Sequence, residues 1–290
     1  MKLPKTQALT AHADGALVYY TFPALEAVPG VRHAFSTRLG GVSAPPFDSM
    51  DLSFTRGDDE AAVRENFRRF FAVIGAAPEQ GVISAQTHTA NVRAVGRADC
   101  GSGVTRPRTY TDVDGLMTDE AGVVLCTQYA DCVPLLFADP VRRVVATAHS
   151  GWRGTVQRIG AVTVERMCAV YGCRPADIRA AVGPSIGPCC FEVDDPVIAA
   201  FSAMAEWDDT CITPTRAGHG RIDLWEINRR ILLAAGISPA HLTVTDLCTQ
   251  CHPDLFWSHR VCGPTRGSLA ACIMLAERPC EYPCRTARKP

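Results

Sequence analysis

The sequence predicts an α+β fold in a single domain. Short runs rich in Val, Ile and Leu, bounded by Gly, Pro and Asp, come in clusters rather than alternating one for one with helices, which disfavours a doubly wound sheet. No repeat, linker or shift in composition marks an internal boundary. The 290 residues, 47% of them hydrophobic, suffice to bury one large core.

Residues 1–30 read as an N-terminal segment, 31–276 as the folded domain and 277–290 as a C-terminal tail rich in Pro, Arg and Cys. The first dozen residues and the tail are the loosest pieces. Asp58 is placed to cap a helix whose apolar face is Val63, Phe67, Phe70 and Ile74, with Gly75 as its stop. Strands are predicted over 82–86, 91–95, 123–127, 134–138 and 143–149, with a hairpin-like turn at Asp139-Pro140. Thr155 is placed to cap a second helix that turns Ile159, Val162 and Val170 inward and ends at Gly172. Strands at 178–182 and 242–245 flank a third helix, which starts near Asp223, carries Leu224, Ile227 and Ile231 on one stripe and ends at Gly236.

Charge excludes one function class. Lys and Arg total 29 against 30 Asp and Glu, so the cationic excess that counterion-release binding to nucleic acid requires is missing. No run approaches the roughly 18 apolar residues of a membrane span, and no apolar stretch follows the N-terminal lysines as in a secretory signal. A cytoplasmic protein with neither nucleic-acid nor membrane partners is the expectation. The 14 cysteines fit it as reduced thiols. Cys126 and Cys272, in apolar runs, read as small buried hydrophobes.

The chemistry concentrates in a few turns. In Ala148-His149-Ser150-Gly151-Trp152-Arg153-Gly154-Thr155 a strand gives way to a helix whose N-terminal N–H groups, beside Arg153, suit an anion. The plain alternative is a strand–helix connection with a surface arginine. Ala130-Asp131-Cys132-Val133-Pro134 holds a cysteine more exposed than a core thiol, and Gln86-Thr87-His88 lies between two strands. Two His and one Cys can make a three-ligand zinc site with an open fourth position. Separations of 44 and 17 residues match no local metal motif, so spacing leaves the trio one combination among many. Cys248-Thr249-Gln250-Cys251 is a C-x-x-C that Cys280 and Cys284 can complete. Roughly 0.7 such pairs arise by chance at this cysteine content, and a zinc there is not expected. Adjacent Cys189 and Cys190 cannot bridge each other without strain. The loops Phe35–Ser43 and Gly183–Pro188, rich in glycine, read as anion or ligand loops, or as ordinary turns.

Together these segments resemble the YfiH-type family, also called laccase-domain or multicopper polyphenol oxidase proteins and described as purine nucleoside phosphorylases. The resemblance runs from about His33 to Leu275. It is carried in order by Phe35-Ser36-Thr37-Arg38 with Gly40-Gly41-Val42-Ser43, Gln86-Thr87-His88, Asp114-Gly115-Leu116, Ala130-Asp131-Cys132, the stretch from Ala148 to Gly154, Gly183-Pro184-Ser185-Ile186-Gly187, and Cys248-Thr249 with Phe256, Ser258 and Arg260. Two positions depart from it: the usual Leu-Asn-Leu reads Met50-Asp51-Leu52, and the usual Tyr before the late arginine is His259, an extra polar group near the site or, more simply, a packing change.

The resemblance implies mixed sheets flanked by helices and a catalytic zinc held by His88, Cys132 and His149. It also implies phosphorolysis of adenosine, inosine and S-methyl-5'-thioadenosine, and deamination of adenosine. Purine nucleosides and phosphate are then the partners. Within it we assign Arg153 and Arg38, with Ser36, to phosphate or ribose oxygens. Asp131 is assigned to orienting a ligand or moving a proton, and Gln86 to supporting the shell.

Three rivals stand beside that reading. A copper polyphenol oxidase fits the His/His/Cys set, but multicopper sites use His-x-His pairs, and no two of the eight histidines are one residue apart. A metal-free hydrolase using Cys132 as nucleophile suits the editing of peptidoglycan precursors. A zinc-stabilised scaffold without turnover is disfavoured, because structural zinc is normally closed by four protein ligands.

Overall fold

The computed structural model describes residues 3–277. The chain opens with β1 (Thr10–Asp14), β2 (Leu17–Thr21), α1 (Pro23–Glu26), β3 (Val31–Ser36) and α2 (Glu60–Ala72). Its middle holds β4 (Gly81–Ile83), β5 (Val92–Ala94), β6 (Gly115–Thr118), β7 (Val124–Tyr129), β8 (Val133–Asp139) and β9 (Val144–Ser150). Then come α3 (Trp152–Val156), α4 (Ile159–Tyr171), β10 (Arg179–Val182), β11 (Glu192–Asp194), α5 (Asp195–Ser202), β12 (Ile212–Arg216) and β13 (His219–Ile222). The last elements are α6 (Leu224–Ala234), β14 (Leu242–Val244), α7 (His259–Cys262) and β15 (Leu269–Leu275).

The strands form two six-stranded mixed sheets, β1-β2-β3-β15-β7-β4 and β14-β10-β8-β9-β6-β5, and a small sheet β11-β13-β12. Alternation along the central strands explains the layering. On β7, Leu125 points into a core shared with Leu136 of β8 and Val145 of β9, so the two large sheets pack face to face. The neighbours Val124 and Cys126 point the other way, onto Val63, Phe67 and Phe70 of α2. On β8, Leu135 and Phe137 meet Ile159 and Val164 of α4 and Ile231 of α6. The result is helix, sheet, sheet, helices, the period of two placing alternate side chains in adjacent layers. With both faces covered, β8 and β9 are buried throughout, which is why they read as unbroken apolar runs. Among the described residues no helix is long and apolar enough to cross a membrane.

Several expectations need correction. Residues 10–21 form a hairpin whose β2 pairs with β3, so much of the N-terminal segment belongs to the first sheet. The caps shift: Asp59, not Asp58, accepts the N–H groups of Ala61 and Ala62. Thr155 caps nothing. Helix α3 starts at Trp152, the chain breaks at left-handed Arg158, and α4 begins at Ile159. Val170 faces solvent, while Val164 and Met167 take the inward stripe. The tail from Arg278 onward, with Cys280 and Cys284, lies outside the described residues.

Candidate metal centre

The turn Ala130–Cys132 carries the chain from β7 in one large sheet to β8 in the other, with Asp131 in the left-handed region at φ 81°. Cys132 therefore stands at the open end between the two sheets. Beside it on β9 is His149, opposite Pro134 of β8. The third member, His88, sits in the connection after β4, also left-handed at φ 66°. Non-glycine residues adopt this conformation only where surrounding contacts impose it. The result gathers the donor atoms of His88, Cys132 and His149 within 4.8 Å of one another, in a set graded from exposed His88 to buried His149.

Asp114, fully buried between β5 and β6, builds the frame. Its carboxylate accepts the backbone N–H groups of Thr87 at 2.9 Å, His88 at 3.1 Å and Thr89 at 3.0 Å. It also pairs with Nδ1 of His149 at 2.8 Å. Burial opposes its ionisation, but the His149 ring and these N–H groups outweigh that and hold the carboxyl at about 2. One carboxylate thus fixes the loop carrying His88 and the ring of His149, leaving Nε2 of His149 as the ligand atom. Burial likewise penalises charge on Cys132 and His149, yet each favours the ionised form of the other, so the thiol is pulled down and the imidazole up.

Gly151 keeps the centre open. A Cβ there would lie 2.9 Å from the His88 ring, 3.1 Å from Cys132 Sγ and 3.5 Å from the His149 ring. The trio faces a cleft of about 1140 Å³ whose walls include Gln86, Tyr110, Gln128, His259, Arg56 and Arg266. Arg266 is only 6% exposed. Its described hydrogen bonds go to Gly267 O, Ser268 Oγ and His259 Nδ1, none of them a carboxylate. Burial, with Arg56 nearby, pushes this guanidinium down to about 10, still charged at neutral pH.

The other assigned residues part company. Gln86 lines the cleft and is locked to the backbone of Gln128 through both ends of its amide. Arg38 is spent elsewhere: it donates to Asp48 O and Pro253 O and stacks 3.8 Å from the Trp257 ring centre. Ser36 is buried, its hydroxyl accepting the N–H of Ala270. Both oxygens of Asp131 are taken, by Thr249 at 2.6 Å, Ser258 at 3.0 Å and the Arg260 N–H at 2.7 Å, so it clamps the turn rather than facing a ligand. Exposed Arg153 lies over the Trp152 ring and does not line the cleft.

The glycine loops are packing junctions. A Cβ at Gly41 would sit 2.0 Å from Ser49 O, and one at Gly183 would sit 3.1 Å from Phe22 and Pro134. His259 reaches the cleft wall, the polar-group alternative of its two readings rather than the packing change. Site residues with no role assigned from sequence include Asp114, Gly151, Arg56 and Arg266. Asp114 and Gly151 stand inside the shared segments, but Arg266 carries no local signal.

A family profile described as multi-copper polyphenol oxidoreductase laccase matches residues 32–276. The purine nucleoside phosphorylase YlmD of Bacillus subtilis is 38% identical over 78% of this chain and 82% of its own. An adenosine deaminase, RL5, from an unknown prokaryotic organism is 34% identical over 83% of this chain and 93% of its own. The crystal structure of YlmD from Geobacillus stearothermophilus superposes with a TM-score of 0.85 at 36% identity, covering 93% of this chain and 99% of that one.

Proposed function

The chain belongs to the multi-copper polyphenol oxidoreductase laccase family, and on that premise we propose that it is a zinc-dependent purine nucleoside phosphorylase. Its substrates in this reading are adenosine, inosine and S-methyl-5'-thioadenosine, with adenosine deamination as a second reaction. One observation carries the proposal. A three-donor cluster lies on the wall of a cleft that also presents a buried arginine with no carboxylate partner among the described residues.

The residues fit a metal ion. Two imidazoles and a thiolate are a borderline-soft donor set that suits zinc, and Gly151 leaves bare the space that a side chain would fill. An ion held by His88, Cys132 and His149 supplies Lewis-acid polarisation. Everything else falls to the chain. Arg266 and Arg56 bind the phosphate dianion, Arg266 most strongly because burial lowers the local dielectric. Arg153 and Arg38, assigned that task from sequence, are replaced in it. Asp114 keeps the proton of His149 on Nδ1, so Nε2 carries the lone pair. Tyr110 and the Gln86–Gln128 pair form wall against which a purine and its ribose can lie.

The test is metal analysis of the untagged protein, followed by incubation with adenosine with and without phosphate. Near-stoichiometric zinc and phosphate-dependent adenine release, lost in Cys132→Ala, is the expected result. Inosine without adenine would move the main reaction to deamination.

A second reading rests on the chain Asp114–His149–Cys132, which has the order of an acid–imidazole–nucleophile triad. It makes Cys132 a metal-free nucleophile for amide hydrolysis in peptidoglycan precursors. Activity that survives exhaustive chelation and is abolished by thiol alkylation would select it.

A further inference from the structure

A second group of thiols lies apart from the cleft. Cys189 and Cys190, in the turn after β10, meet Cys248 and Cys251, in the turn after β14, and all four Sγ atoms fall within 4.8 Å of one another. Cys251 Sγ is 3.5 Å from that of Cys189 and 3.4 Å from that of Cys190. These separations exceed a disulfide bond of about 2.05 Å and come close to the sulfur–sulfur edge of about 3.8 Å in a tetrahedron with metal–sulfur bonds of about 2.3 Å. We propose that Cys189, Cys190, Cys248 and Cys251 form a four-thiolate site for a zinc ion, structural in role and separate from the His88/Cys132/His149 centre.

Packing alone does not account for the group. Cys189 and Cys251 are exposed, so neither is there to fill a core. The Gly187 N–H donates to Cys248 Sγ at 3.2 Å, a contact that supports a thiolate more than a thiol. Gly187 is also pressed against the Trp225 ring, 2.8 Å from where its Cβ would be, which fixes the turn that turns Cys189 and Cys190 toward their partners. The sequence obscured this set because its halves lie about sixty residues apart. The C-x-x-C at Cys248 takes its partners from Cys189-Cys190, whereas the sequence offered Cys280 and Cys284, which lie outside the described residues.

Four protein ligands leave no open position, so the site's part is mechanical. The two turns it would join already touch: Ser185 and Cys248 form an isolated bridge, and the Thr249 N–H donates to Ser185 O at 3.0 Å. The same turns hold Asp131, through the Thr249 hydroxyl and through the Ile186 N–H, which donates to Asp131 O at 2.9 Å. An ion here would brace the clamp directly before Cys132. This inference does not depend on the proposed reaction.

The experiment counts zinc per chain in full-length protein, after reconstitution and desalting. Wild type is expected to hold two ions, Cys132→Ser one, the double variant Cys189→Ser/Cys251→Ser one, and Cys280→Ser/Cys284→Ser two. Cobalt substitution guards against misfolding of the variants, since the intensity of thiolate-to-cobalt charge transfer scales with the number of sulfur ligands. Cys132→Ser should keep about four-fifths of the wild-type intensity, five thiolates becoming four. The absence of any ion that is lost on Cys189→Ser/Cys251→Ser while surviving Cys132→Ser, or an ion lost with Cys280 and Cys284, would overturn the assignment. So would a mass four hydrogens lower, with the four cysteines found as two disulfides in freshly isolated protein.

Discussion

Asp114 gives the clearest case of one side chain fixing several others. Its carboxylate holds three successive N–H groups and the His149 ring at once, so its replacement should loosen the trio while leaving all three donor side chains in the sequence. Asp114→Asn is expected to weaken zinc binding 10–100-fold, measured by competition with a chelator of known affinity; an unchanged affinity would remove Asp114 from the site. Asp51 tests a different consequence of burial. It is fully buried, with one oxygen accepting the Ser268 N–H and the other without a partner. Burial, against that hydrogen bond, raises its carboxyl to about 7. The folded state therefore holds a proton that the unfolded chain releases near pH 4, so the group's contribution is most favourable below pH 4 and is lost as pH rises through 7. At pH 8 the linked cost is roughly 4 kcal/mol as an upper limit. Asp51→Asn, the residue usual in the family the sequence resembles, should then raise the urea midpoint at pH 8, with the gain shrinking toward pH 4. At this scale the sequence was legible for residue type and poor for direction. Cys132, His149 and His88 could be named, but nothing local told that Asp131 faces Thr249 and Ser258, or that Arg38 is consumed by carbonyls while Arg266 faces the cleft.

Elements were readable where one face is apolar and the other is not. Helix α2 is legible because Val63, Phe67 and Phe70 recur at helical spacing, and α6 because Leu224, Ile227 and Ile231 do. Strand β15, Leu-Ala-Ala-Cys-Ile-Met-Leu, is buried along its whole length between β3 and β7. A continuous apolar run has no period by which to tell strand from helix. The exposed β1 failed for the opposite reason, having almost no apolar face. Caps are local enough to separate by mutation. Asp59→Ala should destabilise by about 1 kcal/mol, whereas Asp58→Ala should stay within about 0.5 kcal/mol; equal effects would refute the shifted cap. The junction of β9 and α3 makes a second element-level case. Gly151 has an extended φ of −65° that any residue adopts, so the need for glycine there is steric. Gly151→Ala should leave the fold intact but push the His88 ring aside, lowering zinc affinity and activity together; retained affinity would show that the centre tolerates a methyl group.

The trio draws one ligand from β9 of the second sheet, one from the turn joining the sheets and one from the connection leaving the first. Occupying it therefore holds together the open end of a sandwich whose shared core runs from Phe35 and Leu125 to Leu136 and Val145. The buried Thr127 and Thr147 hydroxyls meet across that interface at 2.7 Å, and the Tyr129 hydroxyl hydrogen-bonds with that of Thr127 and reaches Ala148 O beside the site. Since a ligand that binds only the native state stabilises it by mass action, zinc at 100 times its dissociation constant should add about 2.7 kcal/mol. The gain should appear as a shift of one global transition rather than a new local one, because both sheets lose contacts if the centre opens. Two backgrounds separate the sources. In Cys189→Ser/Cys251→Ser the stabilisation by zinc should persist in full for the trio, and adding Cys132→Ala should abolish it. Leu136→Ala, between the sheets, should cost 2–5 kcal/mol by leaving a cavity, with or without metal, and its effect should add to that of zinc if the core merely supports the centre. A zinc shift that shrinks markedly in Leu136→Ala would instead mean that packing between the sheets sets the spacing of the three ligands.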